Sequence, residues 1–161
     1  MTSELITAIT EQENRLVLEA FDENIAFELG CALRARAKAM NAPVTIEIRS
    51  AARRYFFATL PGATPENQDW GRRKINTVLR TYKSSMRAGL EYDAAGRAQW
   101  PDVGLKYEDF VIHGGGFPIA VKNAGVVAAI GISGLPSIED HEISTATLAE
   151  WIGIDLDPLP R

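Results

Sequence analysis

His113-Gly-Gly-Gly-Phe-Pro-Ile-Ala-Val-Lys-Asn-Ala-Gly-Val-Val-Ala-Ala-Ile-Gly-Ile-Ser-Gly-Leu-Pro136 carries six of the chain's thirteen glycines. Two apolar runs, residues 117–122 and 125–132, flank Asn123-Ala124 and predict a hairpin that turns there; a hairpin forces antiparallel pairing. The triple glycine ahead of the first run marks a sharply shaped turn, because glycine permits positive φ and close backbone approach. With His113 at its lip, the turn reads either as a ligand edge or as a tight connection between core strands. The residues leave both readings open.

Working outward, residues 44–49 alternate strictly between apolar and polar, as a half-buried strand does. After a turn at residues 50–53, the aromatic-rich segment 55–60 returns as its hairpin partner. Residues 16–21 read as a further short strand. Helical spacing of apolar residues predicts helices over 2–12 and 24–40, the second with Asp22 as N-cap, and one long helix over 67–90. A last helix begins near Ser137, where Ser137-Ile-Glu-Asp140 resembles a capping box with Asp in place of Glu. Two hairpins and too few crossovers for a parallel sheet give an α+β class: one five-stranded antiparallel sheet with helices packed on its faces. Residues 1–161 are expected to form one domain.

Composition narrows the function classes. A chain of 161 residues buries roughly 70% of its unfolded surface, enough for a sizeable core. Hydrophobic content of 46% and charged content of 24% are those of a soluble globule. A net charge of −4 gives no overall pull towards nucleic acid or a membrane, and no apolar stretch approaches the ~20 residues of a membrane helix. Met1-Thr-Ser-Glu4 shows no basic and apolar leader pattern, so a cytoplasmic location is expected. Cys31 is the only cysteine, which excludes an intramolecular disulfide and multi-cysteine metal sites. Its apolar helical surroundings predict a buried, inert thiol.

His113 and His141 are the only histidines. They lack zinc-type spacing, although either imidazole can ligate iron or move protons. For His113 a turn-stabilising hydrogen bond is favoured over a ligand contact. For His141, capping or an interface is favoured, with Asp140 and Glu142 complementing a helix N-terminus. Arg72, Arg73, Arg80, Lys83 and Arg87 form a basic stripe on the long predicted helix. Such a stripe can hold carboxylates or phosphates, or it is a solvated flank or makes salt bridges to acidic partners, and the solvated-flank or salt-bridge reading is favoured. Ser133 lacks the spacing of a nucleophile elbow, and the glycines match neither a P-loop nor a dinucleotide fingerprint.

Several motifs occur together and in order: Phe21-Asp22, Phe56-Phe57, Leu60-Pro-Gly-Ala-Thr-Pro65, Asp69-Trp70-x-Arg-Arg-Lys74, His113-Gly-Gly-x-Phe-Pro118, Ser133-Gly-Leu-Pro136 and Asp140-His-Glu142. With them the chain resembles a small-protein branch of the haem-degrading-domain superfamily, the GlcG/HbpS-like proteins, from about residue 16 to residue 151. The resemblance implies a profilin-like fold assembled into symmetrical homo-oligomers, and haem or another tetrapyrrole as a possible cofactor. The expected function is an oligomeric cytoplasmic protein that binds a small molecule or partner, leaning away from enzyme activity, with no nucleic-acid or membrane partner. The alternatives are a haem- or tetrapyrrole-binding or -degrading protein with His113 as the iron ligand, and a purely structural interaction scaffold. Candidate ligand-binding residues are His113, Gly114, Gly115, Phe117, Arg73 and Lys74.

Overall fold

The computed structural model describes residues 1–161, in the order α1 (Thr2–Arg15), β1 (Val17–Leu18), α2 (Glu23–Ala39), β2 (Thr45–Arg49), β3 (Arg54–Thr59), α3 (Pro65–Thr81), α4 (Ser85–Ala94), β4 (Gly116–Val121), β5 (Gly125–Ser133) and α5 (Ser137–Ile152). Both expected hairpins form, β2 with β3 and β4 with β5. Asn123, at φ 64°, supplies the left-handed residue of the second turn. The five strands run β1-β4-β5-β2-β3 across one sheet.

That sheet is mixed, which corrects the expected antiparallel arrangement: β1 lies parallel to β4. Hairpin logic orients only strands joined by a tight turn. β1 reaches β2 through α2, and its two-residue ladder is set by where the chain is led rather than by its own pattern.

Alternation along the strands separates two faces. Ile46, Ile48, Phe117, Ile119, Ala128, Ile130 and Ile132 pack with Leu29 and Leu33 of α2 and Ile143 and Leu148 of α5 into the main core. The opposite face carries Thr45, Glu47, Arg49, Gly116, Ala129, Gly131 and Ser133, and α3 lies across it, packing Ile75 and Val78 against Ala129. A Cβ on Gly131 would fall 2.7 Å from Ile75, so glycine is what lets the helix approach the sheet. The strand expected to be half-buried is thus covered on both sides, with Thr45 and Glu47 buried beneath α3.

Two boundaries differ from expectation for local reasons. The long helix is broken at Tyr82, which sits in the left-handed region, and α4 restarts from Ser84, whose hydroxyl accepts the Arg87 N–H at 3.2 Å. The basic stripe is therefore split between two helices. The capping box at Ser137 does not form: Ser137 Oγ accepts from the Gly114 N–H, and Asp140 turns to other partners. Cys31 is exposed, because α2 buries Ala26, Leu29, Gly30, Leu33 and Ala37, a stripe that Cys31 falls beside. Gly30 is the position that Phe56 covers.

Candidate functional site

A cleft of about 380 Å³ opens where the N-terminal half of α3 faces the β5–α5 connection, lined by Glu66, Asn67, Trp70, Lys74, His113, Ser133, Gly134, Leu135, Ser137 and Asp140. Thr64 caps α3 and Pro65 occupies its first turn, so residues 66, 67, 70 and 74 are presented on one flank of a firmly started helix. Lys74 falls on the buried stripe of that helix with Gly71, Ile75 and Val78.

The base of the cleft is a buried ion pair. Lys74 Nζ donates to Asp140 Oδ2 and to the Ile132 carbonyl, both at 2.9 Å, and the two side chains are only 4% and 1% exposed. Asp140 also accepts the Leu135 N–H at 3.0 Å and the Gly134 N–H at 3.3 Å. Burial pushes the Lys74 pKa down and the Asp140 pKa up, and the attraction between the two charges opposes both shifts. With two main-chain donors on the carboxylate and a carbonyl on the ammonium, the ionic form is the one the site is built to hold. An ammonium has three donors and two are used here, leaving one N–H.

His113 stands at the mouth, exposed, with its ring 5.5 Å from that of Trp70 at 48°. The guanidinium of Arg73 lies 4.7 Å from the Trp70 centroid. The main chain, not the imidazole, pins the glycine turn. Ser85 Oγ donates to the His113 carbonyl at 2.5 Å and accepts the Gly116 N–H at 2.9 Å. The structure thus gathers His113, Lys74 and Arg73 about the Trp70 side of α3, with Gly115 packed on Lys74 Nζ. It does not bring Phe117 there: that ring is fully buried on the main-core side of the sheet, edge-on to His141. Asp140 was not foreseen as the partner of Lys74. A lysine on the apolar stripe of a helix was the available signal that a buried counter-charge must exist.

Residues 21–149 match the family model described as haem degrading protein HbpS-like. The chain belongs to this HbpS-like family. It is 47% identical over 150 residues to a UPF0303 protein of Mesorhizobium japonicum, covering 93% of this chain and 90% of that one. Among solved structures it is similar to the Ybr137w protein, with TM-score 0.85, 26% identity, and 92% and 87% of the two chains covered. The fold also matches a structure described as a PduOC:heme complex, with TM-score 0.66 at 20% identity over 88% and 98% of the chains.

In this HbpS-like chain four of the five basic residues of the stripe make ion pairs, and Arg80 makes none. Arg72 pairs with Asp69 and Asp109, and Arg73 with Asp69. Lys83 and Arg87 meet Glu91, and Arg87 also meets Glu13. His141 neither caps α5 nor lies at a surface: it is fully buried, and its Nε2 donates to Gln12 Oε1 of α1 at 2.9 Å. Burial depresses its pKa from 6.5 to about 4.

That depression has a signed consequence. The unfolded chain takes up the His141 proton below pH 6.5, while the folded chain resists it until about pH 4. Stability from this group is therefore complete above pH 6.5 and falls as pH drops through the window, by roughly 1 kcal/mol per pH unit and about 3 kcal/mol in all. Urea unfolding at pH 7, 6, 5 and 4.5 should show this slope in the wild type and a shallower one in His141→Gln. Parallel slopes would assign the acid sensitivity to other groups.

Proposed function

We propose that this chain, as one domain over residues 1–161, is an oligomeric cytoplasmic binding protein for a small polar molecule that seats in the Trp70 cleft. The observation that carries the reading is the Lys74–Asp140 pair at the base of an accessible cleft. A buried pair is a poor way to gain stability, since desolvation offsets most of the attraction. A ligand that meets the remaining Lys74 N–H and the Ser133 hydroxyl, with Trp70 and His113 as a planar wall, uses what the pair positions. Glu66 at the rim and Asp140 below suit a ligand with donors as well as acceptors, such as an amino acid or a planar amide.

The family name and the haem-complex neighbour suggest haem, and the fit can be weighed residue by residue. His113 offers an exposed imidazole. The lining, however, is charged or hydrogen-bonding except for Trp70 and Leu135, whereas a buried macrocycle needs mainly apolar walls. These residues do not fit haem within the cleft. Haem titration should give no Soret band at one haem per chain; such a band, lost in His113→Ala, would replace this reading with the tetrapyrrole one.

The reading is tested by a thermal-shift screen of amino acids, nicotinamide-type amides and monocarboxylates, followed by calorimetry. At least one class should bind, and Trp70→Ala and Ser133→Ala should each weaken it at least tenfold. Binding by none, or binding indifferent to both substitutions, sinks the proposal and favours the interaction scaffold.

For self-association, the support lies on α2 and α5, where Met40 and Trp151 border a groove with Ala32, Ala35 and Ala39, and Phe27 is 60% exposed. Exposed apolar area of this kind marks contact surfaces. The aromatic side chains of β3 do not supply it, because they are engaged within the chain: Tyr55 packs on Phe21 and Phe56 on α2. Light scattering showing only a 17.6 kDa species at micromolar concentration would remove this part of the reading.

A further inference from the structure

The other flank of α3 bears a second cleft, of about 650 Å³, between the helix and the β2–β3 hairpin. At 3.6 residues per turn, Asp69, Arg72 and Asn76 lie on the side of the helix opposite Trp70 and Lys74. The hairpin contributes Glu47, Arg49 and Arg54.

Arg54 is held in a way that leaves its fork free. Its Nε donates to Glu47 Oε1 at 3.2 Å, and its guanidinium carbon lies over the Phe57 ring, 4.6 Å from the centroid. The side chain remains 51% exposed and lines the cleft. Arg49 lies deeper, at 17% exposure, with its Nε 3.5 Å from that same Glu47 oxygen. Asn76 and the Arg72 carbonyl hold its Nη2, and the Ser50 carbonyl accepts from its Nη1 at 3.4 Å, which leaves one Nη1 N–H for a ligand. One buried carboxylate oxygen thus serves two guanidiniums. On the helix side Asp69 is likewise shared, between Arg72 and Arg73. Asp109 also meets Arg72, so the four guanidiniums of Arg49, Arg54, Arg72 and Arg73 share three carboxylates, a local excess of one positive charge on a chain whose net charge is −4.

We propose that this cleft binds a phosphate group, free or as a phosphomonoester, with the Arg54 fork and Arg49 as its principal contacts and Arg72 at its rim. The planar fork of a guanidinium matches two phosphate oxygens, and a fork already immobilised by a ring and a carboxylate loses little freedom on binding. A dianion also relieves the mutual repulsion of Arg49, Arg54 and Arg72. This site is independent of the Trp70 cleft, and either reading can fail without the other.

The test is calorimetry on the full chain with inorganic phosphate and with glycerol 3-phosphate, at ionic strength held constant with sodium chloride so that screening is equal. Saturable binding below 10 mM is expected, on the order of the weak end of specific affinities. A tighter ester identifies a phosphomonoester as the ligand, and equal affinities identify free phosphate. Arg54→Gln should weaken binding at least tenfold. Arg54→Lys, which keeps the charge but not the fork, should fall between and also decides the matter if the glutamine variant does not fold. Lys122→Gln, which removes an exposed charge paired with Glu19 elsewhere, should bind as wild type. No saturable binding to either anion, unchanged binding in the Arg54 variants, or equal weakening in Lys122→Gln overturns the proposal.

Discussion

Gly115→Ala should lower the melting temperature by about 10 °C, while His113→Gln, two residues away, should leave it almost unchanged. Gly115 sits at φ +123°, where a side chain is strained in any surroundings. Its surroundings are also full: a Cβ there would lie 2.1 Å from the Ile132 carbonyl oxygen and 2.9 Å from Lys74 Nζ. The first of these is main chain of the central strand β5, and the Ile132 N–H in turn donates to the Gly115 carbonyl at 2.9 Å, so neither side yields easily. Strain of 1–3 kcal/mol and overpacking of similar size add to roughly 4 kcal/mol. In a chain of this length each kcal/mol moves the midpoint by about 2–4 °C. His113, by contrast, is exposed and anchors the turn through its carbonyl, which glutamine retains. Thermal melts of the two variants decide whether the segment is built by its glycines. If Gly115→Ala melts with the wild type, the packing described around Lys74 Nζ is wrong.

The same turn shows where the sequence could be read and where it could not. A triple glycine before two apolar runs announces a shaped entry into a hairpin, and the hairpin is there. What the glycines are shaped around was not announced. Gly114 meets the Ser137 main chain and Gly115 the Ile132 main chain, contacts that exist only once α5 and β5 are assembled. Alternation in β2 likewise gave the strand and its apolar face, yet could not say that its polar face lies under α3. A helix that covers polar residues leaves no apolar period to detect. The break at Tyr82 carried a local sign, the Ser84-Ser85 pair, but no glycine or proline to stop the helix before it. Cys31 and His141 were misplaced for one reason: a single residue's burial depends on which face a helix turns inward, and the flanking apolar residues of α2 and α5 allowed more than one answer.

Lys74→Met and Asp140→Leu should each destabilise the fold by about 3–5 kcal/mol, whereas the double variant should be more stable than either. Removing the lysine leaves a carboxylate 1% exposed with only the Gly134 and Leu135 N–H groups for company. Removing the aspartate strands an ammonium against the Ile132 carbonyl. Each single change forfeits the attraction and keeps the desolvation of the remaining charge. The double change removes both charges and fills the space with apolar volume, which is often neutral or better. Urea unfolding of the three variants and the wild type closes the cycle, and strictly additive losses would show that the pair is not coupled as its geometry requires. The double variant also separates the roles of the pair. If the two charges serve only the fold, the repaired protein binds the compounds found in the thermal-shift screen as well as the wild type does. If they hold a ligand, it folds, melts cooperatively and binds none of them. The second outcome is the expected one, because an apolar pair would have supported the same helix on the same sheet without placing an ammonium proton at the base of an open cleft.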